Sequence, residues 1–566
     1  MLPQLTIKNG KLVNVCTGEI YKADISIESG KITGVGSNIN GKTAIDAEGK
    51  YIVPGLIESH IHIESSMVSL TQFARAVIPN GTTTVVNDPH EIANVLGIEG
   101  IKFLIEESEN ILLNVYFTIP SCVPATPFET NGRTLGLKET RELVNNDKII
   151  GLGEVMNFFG VISGDAEILD KINIVKNAGK IVDGHCPGLS GELLDKYISA
   201  GIMSEHEATT GEEAFEKLRK GMVLMIREGT AARNISILKS ILNKNLNLNR
   251  CVFASDDCCP HDLIEEGHIN HIIRKAVALG ADPVDAIRMA TINASAYFNL
   301  RDKGIIAPGK DADILILDNL EKFEIDKVII GGEIIFENNK LIKKFNNYYY
   351  PEFVKNTFNV KPLSEKDFDI KFDAIGDVNE VNARVIEVIE GELLTNSIKR
   401  KLKIENNIIT PDIDSDVLKI AVVERHNRTG NIGLGFVSGF GLKRGAFASS
   451  VAHDSHNIIA VGANNKDILA VVNKIIEMQG GLSIANNSEI YGLQLNIAGL
   501  MSEKPVSEVN NKLNFLHEKL KNFGVKVEAP FMALSFLALP VIPELKLTDK
   551  GLFDVEKFKF VDVAVS

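Results

Sequence analysis

Between residues 55 and 256 the chain alternates short extended apolar runs with helix-compatible, amphipathic segments, and this pattern restricts the fold more than any other feature. The extended runs fall near 55–62, 82–88, 113–119, 148–155, 180–185, 201–206, 222–227 and 250–256. Segments such as 69–78, 166–178 and 212–220 separate them. A strand, a helix and a further strand make a crossover that sets the two strands parallel. Eight such units in roughly 250 residues predict an α/β fold, a (β/α)8 TIM-like barrel spanning residues 54–303. In such a barrel the chemistry collects at the C-terminal ends of the strands.

The predicted strand ends carry the right residue types. The first ends in His60-Ile61-His62, two imidazoles on one face of an extended strand, because side chains alternate with period 2. Neutral imidazoles held that way suit a first-row divalent metal. The second strand ends in Asn87-Asp88-Pro89-His90-Glu91 and the third in Pro120-Ser121-Cys122. The fourth reaches Glu154, the fifth ends in Asp183-Gly184-His185 and the sixth in Ser204-Glu205-His206-Glu207. The seventh ends in Arg227-Glu228 and the eighth in Ser255-Asp256-Asp257. A capped or solvated polar residue after a strand explains any one of these, but not the set together.

These residues carry a family resemblance. The barrel segment resembles the amidohydrolase superfamily, and Pro54-Gly55-Leu56-Ile57-Glu58-Ser59-His60-Ile61-His62-Ile63-Glu64-Ser65-Ser66 resembles its adenine deaminase branch. Asn87-Asp88-Pro89-His90-Glu91, Gly153-Glu154-Val155-Met156 and Phe253-Ala254-Ser255-Asp256-Asp257 strengthen the closer match, and the C-terminal region is similar to the domain peculiar to that branch. The resemblance implies hydrolytic deamination of free adenine to hypoxanthine and ammonia. It implies His60, His62 and Asp256 on one divalent metal and His185 and His206 on another. Glu154 stands as the bridging carboxylate where most of the superfamily has a carboxylated lysine, and Lys148, earlier on the same strand, fits that role poorly. The ligand set suits Mn²⁺, Fe²⁺ or Zn²⁺, and the resemblance points to manganese or iron. Asp256 is expected to carry the proton from the attacking water to the leaving nitrogen.

Asp88, His90 and Glu91 have two readings. They reach the purine or the outer surroundings of a metal, or they start a helix, with Asp88 as N-cap, Pro89 first and Glu91 third. Arg227 and Glu228 either contact substrate or pair with each other, and neither is assigned. The zinc nucleobase deaminases, with His-x-Glu and Pro-Cys-x-x-Cys, do not fit, since His185-Cys186-Pro187 and Cys258-Cys259-Pro260 lack the spacing. A cyclic-amide hydrolase of the dihydroorotase kind is the alternative reaction. A scaffold that has lost catalysis is disfavoured because every ligand position is filled.

Around the barrel, residues 1–53 read as short strands at 5–8, 11–15, 23–27 and 31–35, and residues 304–350 have the same character. The two stretches are expected to form one small β-sandwich domain with the barrel inserted. Residues 351–566 read as an α+β domain. In it, Ser507 is expected to cap a helix whose Val509, Leu513, Leu516, Leu520 and Phe523 share one face, with Gly524 as the stop. Its stretch Ser449-Ser450-Val451-Ala452-His453-Asp454-Ser455-His456-Asn457 is read first as a lid or support over the barrel mouth, as is the Met478–Gly481 loop. A polar junction and an independent metal site follow for the His453–His456 stretch. The net charge of −14 over 566 residues excludes a polyanion partner such as nucleic acid. No signal-like start and no membrane-length apolar run are present, so no membrane partner is expected. Six scattered cysteines are expected to be free thiols in the reducing cytoplasm. The resemblance implies a homodimer or larger oligomer acting on a small molecule.

Overall fold

The computed structural model describes residues 2–230, 233–244, 246–346, 348–372 and 378–565. Its central strands are β1 (Leu56–Ile61), β2 (Thr82–Asn87), β3 (Asn114–Ile119) and β4 (Ile149–Val155). They continue as β5 (Ile181–Gly184), β6 (Ser204–Glu205), β7 (Val223–Arg227) and β8 (Cys251–Ala254). Every residue of β1, β2, β7 and β8 is buried, as parallel strands covered on both faces require. Helices such as Leu70–Val77, Ala166–Asn177 and Gly211–Arg219 lie between strands, within a residue or so of the expected segments.

The eight strands form two parallel ladders, one of β1 to β5 and one of β6 to β8. Backbone contacts span both gaps. Ile61 bridges Asp256 in the parallel sense, with Asp256 N–H donating to His60 O at 2.9 Å and His62 N–H to Asp256 O at 3.2 Å. Across the other gap, Met203 N–H reaches Val182 O at 3.3 Å. The expected run 201–206 shortens to two strand residues at a contact with the end of β5. Ser204 Oγ accepts the Gly184 N–H at 3.1 Å and donates to Asp183 at 2.7 Å, so a side chain replaces a ladder bond. A Cβ on Gly184 would lie 2.2 Å from Ser204 O, and only glycine allows the approach.

The N-terminal strands pair with those that follow the eight parallel strands. Tyr51–Pro54 runs antiparallel to Ile314–Asn319, with Pro54 opposite Ile314 and Tyr51 opposite Leu317. The two strands expected at 5–8 and 11–15 are one strand, Leu5–Val13, broken in register between Ile7 and Gly10. The extra residue there turns the chain without ending its pairing.

The C-terminal region holds a ten-stranded, largely antiparallel sheet with helix Asn465–Met478 packed on it. Its longest helix, Val506–Phe523, buries Val509, Leu513, Leu516, Leu520 and Phe523 and ends at Gly524, whose φ is 108°. Ser507 does not cap it. Pro505 precedes the first turn and its carbonyl accepts the Val509 N–H at 3.1 Å, which places Ser507 inside the helix. Among the described residues no helix is long and apolar enough to cross a membrane.

This region packs against the loops that follow the parallel strands. Thr130 donates from N and Oγ1 to the Asp549 carboxylate at 2.8 and 2.7 Å, and Ser69 N–H donates to Ser502 O at 2.9 Å. Buried Glu107 Oε1 accepts Thr71 N–H, Thr71 Oγ1 and Tyr350 Oη at 2.9, 2.8 and 2.9 Å. Tyr350→Phe removes one of those donors from a buried carboxyl and should cost about 1–3 kcal/mol in urea-unfolding stability. An unchanged midpoint would show that the tyrosine does not fasten the chain just before residue 351 to Glu107.

Candidate active site

The site grows from the ends of β1, β4, β7 and β8 and the turns after β5 and β6. Glu58, inside β1, accepts the His60 N–H at 2.9 Å and the Ser255 N–H at 3.1 Å, which locks the end of β1 against the end of β8. His62 Nδ1 lies 2.9 Å from Asp88 O. A donor Nδ1–H there leaves Nε2 with a free lone pair, the tautomer a metal ligand needs. That Nε2 lies 3.3 Å from Glu154 Oε1 and 3.2 Å from Asp256 Oδ1.

Glu154 occupies the middle. Its Oε1 faces His62, and its Oε2 lies 2.8 Å from His185 Nδ1 and 3.2 Å from His206 Nε2. One carboxylate therefore turns an oxygen to each of two imidazole groups. His60 stacks on His206 with ring centroids 4.4 Å apart, and its buried Nε2 has no hydrogen-bond partner. Ligand-capable atoms of His60, Glu154 and His206, of His60, His62 and Asp256, and of His185, His206 and Glu207 each fall within 4.8 Å of one another. A buried, lone-pair-bearing nitrogen without a partner, ringed by carboxylates and imidazoles, fits divalent cations. Lys148 sits at the opposite end of β4, roughly 20 Å along the strand from Glu154 at about 3.3 Å per residue.

The electrostatics are strongly perturbed. Burial works to raise the Asp256 carboxyl, but the Arg227 guanidinium and the His62 and His206 rings hold it well below the usual range. Glu154 is likewise penalised by burial yet held well down by its three histidine partners, His185, His206 and His62. Burial lowers His206, and Glu154, Glu207 and Asp256 together raise it to about 9. Burial and the neighbouring His206 and His62 rings hold His60 well below its ordinary value.

Asp88 and its neighbours do not follow the capping pattern. The helix after β2 is His90–Leu96, preceded by Pro89, with no side-chain cap. Asp88 Oδ2 instead accepts the Glu154 N–H at 3.1 Å, and its Oδ1 is buried and unpartnered. His90 lies 4.3 Å from the His62 ring, centroid to centroid, with Nδ1 3.6 Å from Glu154 Oε1. Glu91 turns away from the centre, towards His453 Nδ1 at 2.7 Å and towards His456.

Of the unassigned pair, Arg227 belongs here, with Glu207, while Glu228 accepts from Lys275 Nζ at 2.6 Å. Arg227 pairs with Asp256 Oδ2 and with Glu207, the latter through Nη2 to Oε2 at 2.9 Å. Their signal was present, since both stand at strand ends, but nothing in the sequence pairs an arginine after one strand with acids after two others. A cleft of about 410 Å³ lined by Lys180, Arg250, Asn293 and Tyr297 opens elsewhere and contains none of the strand-end histidines.

Comparison with known proteins adds the following. The amidohydrolase family model matches residues 51–335, and the model of the adenine deaminase C-terminal domain matches residues 392–559. The adenine deaminase of Desulfatibacillum aliphaticivorans is 47% identical over 99% of this chain and 97% of its own length. That of Clostridium acetobutylicum is 45% identical over 98% and 97%. That of Thermosipho africanus is 46% identical over 100% and 97%.

Proposed function

The chain belongs to the adenine deaminase family of amidohydrolases, and from that premise we propose that it converts free adenine and water into hypoxanthine and ammonia at the strand-end site. The observation that carries the reading is the placement of Glu154, with His62 at one oxygen and His185 and His206 at the other. His60, His62 and Asp256 would hold one divalent cation, His185 and His206 a second, and Glu154 would stand between them. The donors suit Mn²⁺ or Fe²⁺, with Zn²⁺ also matched. When bound, such a pair acidifies water to near neutrality and offsets developing negative charge.

The chain's own groups supply the rest. Asp256, kept ionised beside Arg227, accepts a proton as water adds to C6 of the purine, and returns it to the departing amino nitrogen. The C6–N bond then breaks, ammonia leaves and the C6 oxygen becomes that of hypoxanthine. Arg227, braced by Glu207, fixes the orientation of the carboxylate through that cycle. Asp88 and His90 are offered as groups around the purine, supported by the unpartnered Asp88 Oδ1 and His90 Nδ1 beside Glu154, whereas Glu91, expected with them, is held by His453 and His456.

The same premise supports closure of β1 to β8 into one (β/α)8 barrel over residues 54–303, flanked by a small domain from 1–53 and 304–350 and followed by an α+β domain over 351–566. A homodimer or larger assembly is part of this reading. Ring opening of a cyclic amide is disfavoured by the match of the C-terminal region to adenine deaminase.

The test is ammonia release from adenine, adenosine, guanine and cytosine by protein stripped with a chelator and reloaded with Mn²⁺, Fe²⁺ or Zn²⁺. Stripped protein should be inactive, and reloaded protein should act on adenine alone. Comparable activity on adenosine, or ring opening of dihydroorotate, would overturn the assignment.

A further inference from the structure

Residues 450–457 of the C-terminal region, between strands Ala446–Ser449 and Ile458–Gly462, reach Glu91 and Thr130 beside the strand-end site. The segment is anchored at most positions. His453 N–H donates to Ser535 O at 3.1 Å and His456 N–H to Ala452 O at 2.7 Å. Asn457 Nδ2 donates to Thr130 O at 2.8 Å, on the barrel side. Both histidine rings meet the Glu91 carboxylate, and the His453 ring stacks on Phe536 with centroids 4.4 Å apart. These contacts occupy His453 and Asn457 and set the His456 ring against Glu91.

They do not account for Asp454. Its side chain is 3% exposed, and Oδ2 has no hydrogen-bond partner. His453 and His456, on either side of it, meet Glu91, which follows His90 beside Glu154, so the segment lies against the site. His90, Glu91, His453, Glu154 and Glu129 are the charges near Asp454. A buried carboxyl oxygen left unmatched costs on the order of 1–3 kcal/mol. Such an atom beside a substrate site calls for a polar group on the substrate.

We propose that Asp454 is a specificity-determining residue that reads the N3 and N9–H edge of free adenine. The proposal rests on the adenine deaminase reading above. In that reading C6 lies over the strand-end histidines. N3 stands directly across the six-membered ring from C6, with N9 beside it, so this edge points towards residues 450–457. N3 accepts a hydrogen bond and N9–H donates one. A carboxyl that keeps its proton offers a donor and an acceptor side by side, complementary to that pair. Burial, with Glu91 and Glu154 nearby, pushes the Asp454 carboxyl up, in the direction that keeps the proton. A nucleoside carries its sugar on N9, has no hydrogen to give and needs space that the segment fills.

The experiment compares kcat/KM for adenine and 9-methyladenine in the full-length, metal-loaded protein and in Asp454→Ala and Asp454→Asn. Wild type should prefer adenine by about 10³-fold or more, as sites built around a substrate N–H or O–H do. Asp454→Ala should lose roughly 10–10²-fold on adenine, mostly in KM, with little change on 9-methyladenine, so the preference collapses. Asp454→Asn, whose amide also sets a donor beside an acceptor, should stay within about fivefold of wild type. A comparison free of variants uses inhibition by hypoxanthine and 3-deazahypoxanthine, with the latter weaker by about tenfold.

An unchanged preference in Asp454→Ala, an Asp454→Asn as impaired as the alanine, or equal inhibition by the two hypoxanthines would overturn the proposal. So would loss of bound metal in both variants, which would place Asp454 at the metal centre instead. An active wild type with indifferent Asp454 variants would leave the deaminase reading standing. No ammonia from adenine with any metal would remove both.

Discussion

Replacing Asp256 by asparagine is expected to lower kcat for ammonia release by about 10²–10⁴-fold, the usual contribution of a positioned proton carrier, while the protein stays folded. The carboxylate has one oxygen 3.2 Å from His62 Nε2 and the other on Arg227. An amide of the same shape fills the space but cannot take a proton from water and hand it on. Arg227 is not orphaned by the change, because Glu207 still pairs with it at 2.9 Å, so the penalty of a buried unpaired charge is avoided. The substitution does leave one ligand position weaker. Metal content must therefore be measured beside kcat. Retained metal with lost turnover assigns Asp256 to proton transfer, whereas near-normal turnover removes it from that role.

What could be read from the sequence depended on whether the signal was local. The apolar periodicity placed all eight strands and several helices because each element states its own burial pattern. The strand-end rule then gathered a wider set of polar residues, and the family resemblance singled out His60, His62, Glu154, His185, His206 and Asp256 among them. Features made by distant partners were not legible. The shortening of β6 follows from Ser204 bonding to the Gly184 N–H, a contact that no periodicity encodes. Asp88-Pro89-His90-Glu91 has the composition of a helix start, yet Asp88 is drawn to the Glu154 N–H and Glu91 to His453 and His456. In both cases a tertiary partner won over the local capping preference. The role of Arg227 was hidden for the same reason. An arginine after one strand takes its meaning from the acids that the neighbouring strands bring beside it.

Glu154→Ala should have the other large effect. The carboxylate meets His62, His185 and His206, and with Glu207 and Asp256 it raises buried His206 to about 9 against the opposing effect of burial. Without it, two cations in this space would repel each other with no anion between them, and the imidazoles would lose the group that orients them. Loss of an outer-shell partner alone typically costs 10–100-fold in metal affinity or activity. Removing the central carboxylate should exceed that, with kcat/KM falling by more than about 10²-fold and bound metal dropping from two ions per chain to one or fewer. Glu154→Gln should be milder, since one oxygen remains while the amide nitrogen faces a histidine. Elemental analysis of the purified variants, read beside ammonia release, separates the possibilities. A full complement of metal with lost activity would mean that Glu154 moves protons rather than joining two ions. A full complement with full activity would take it out of the centre altogether.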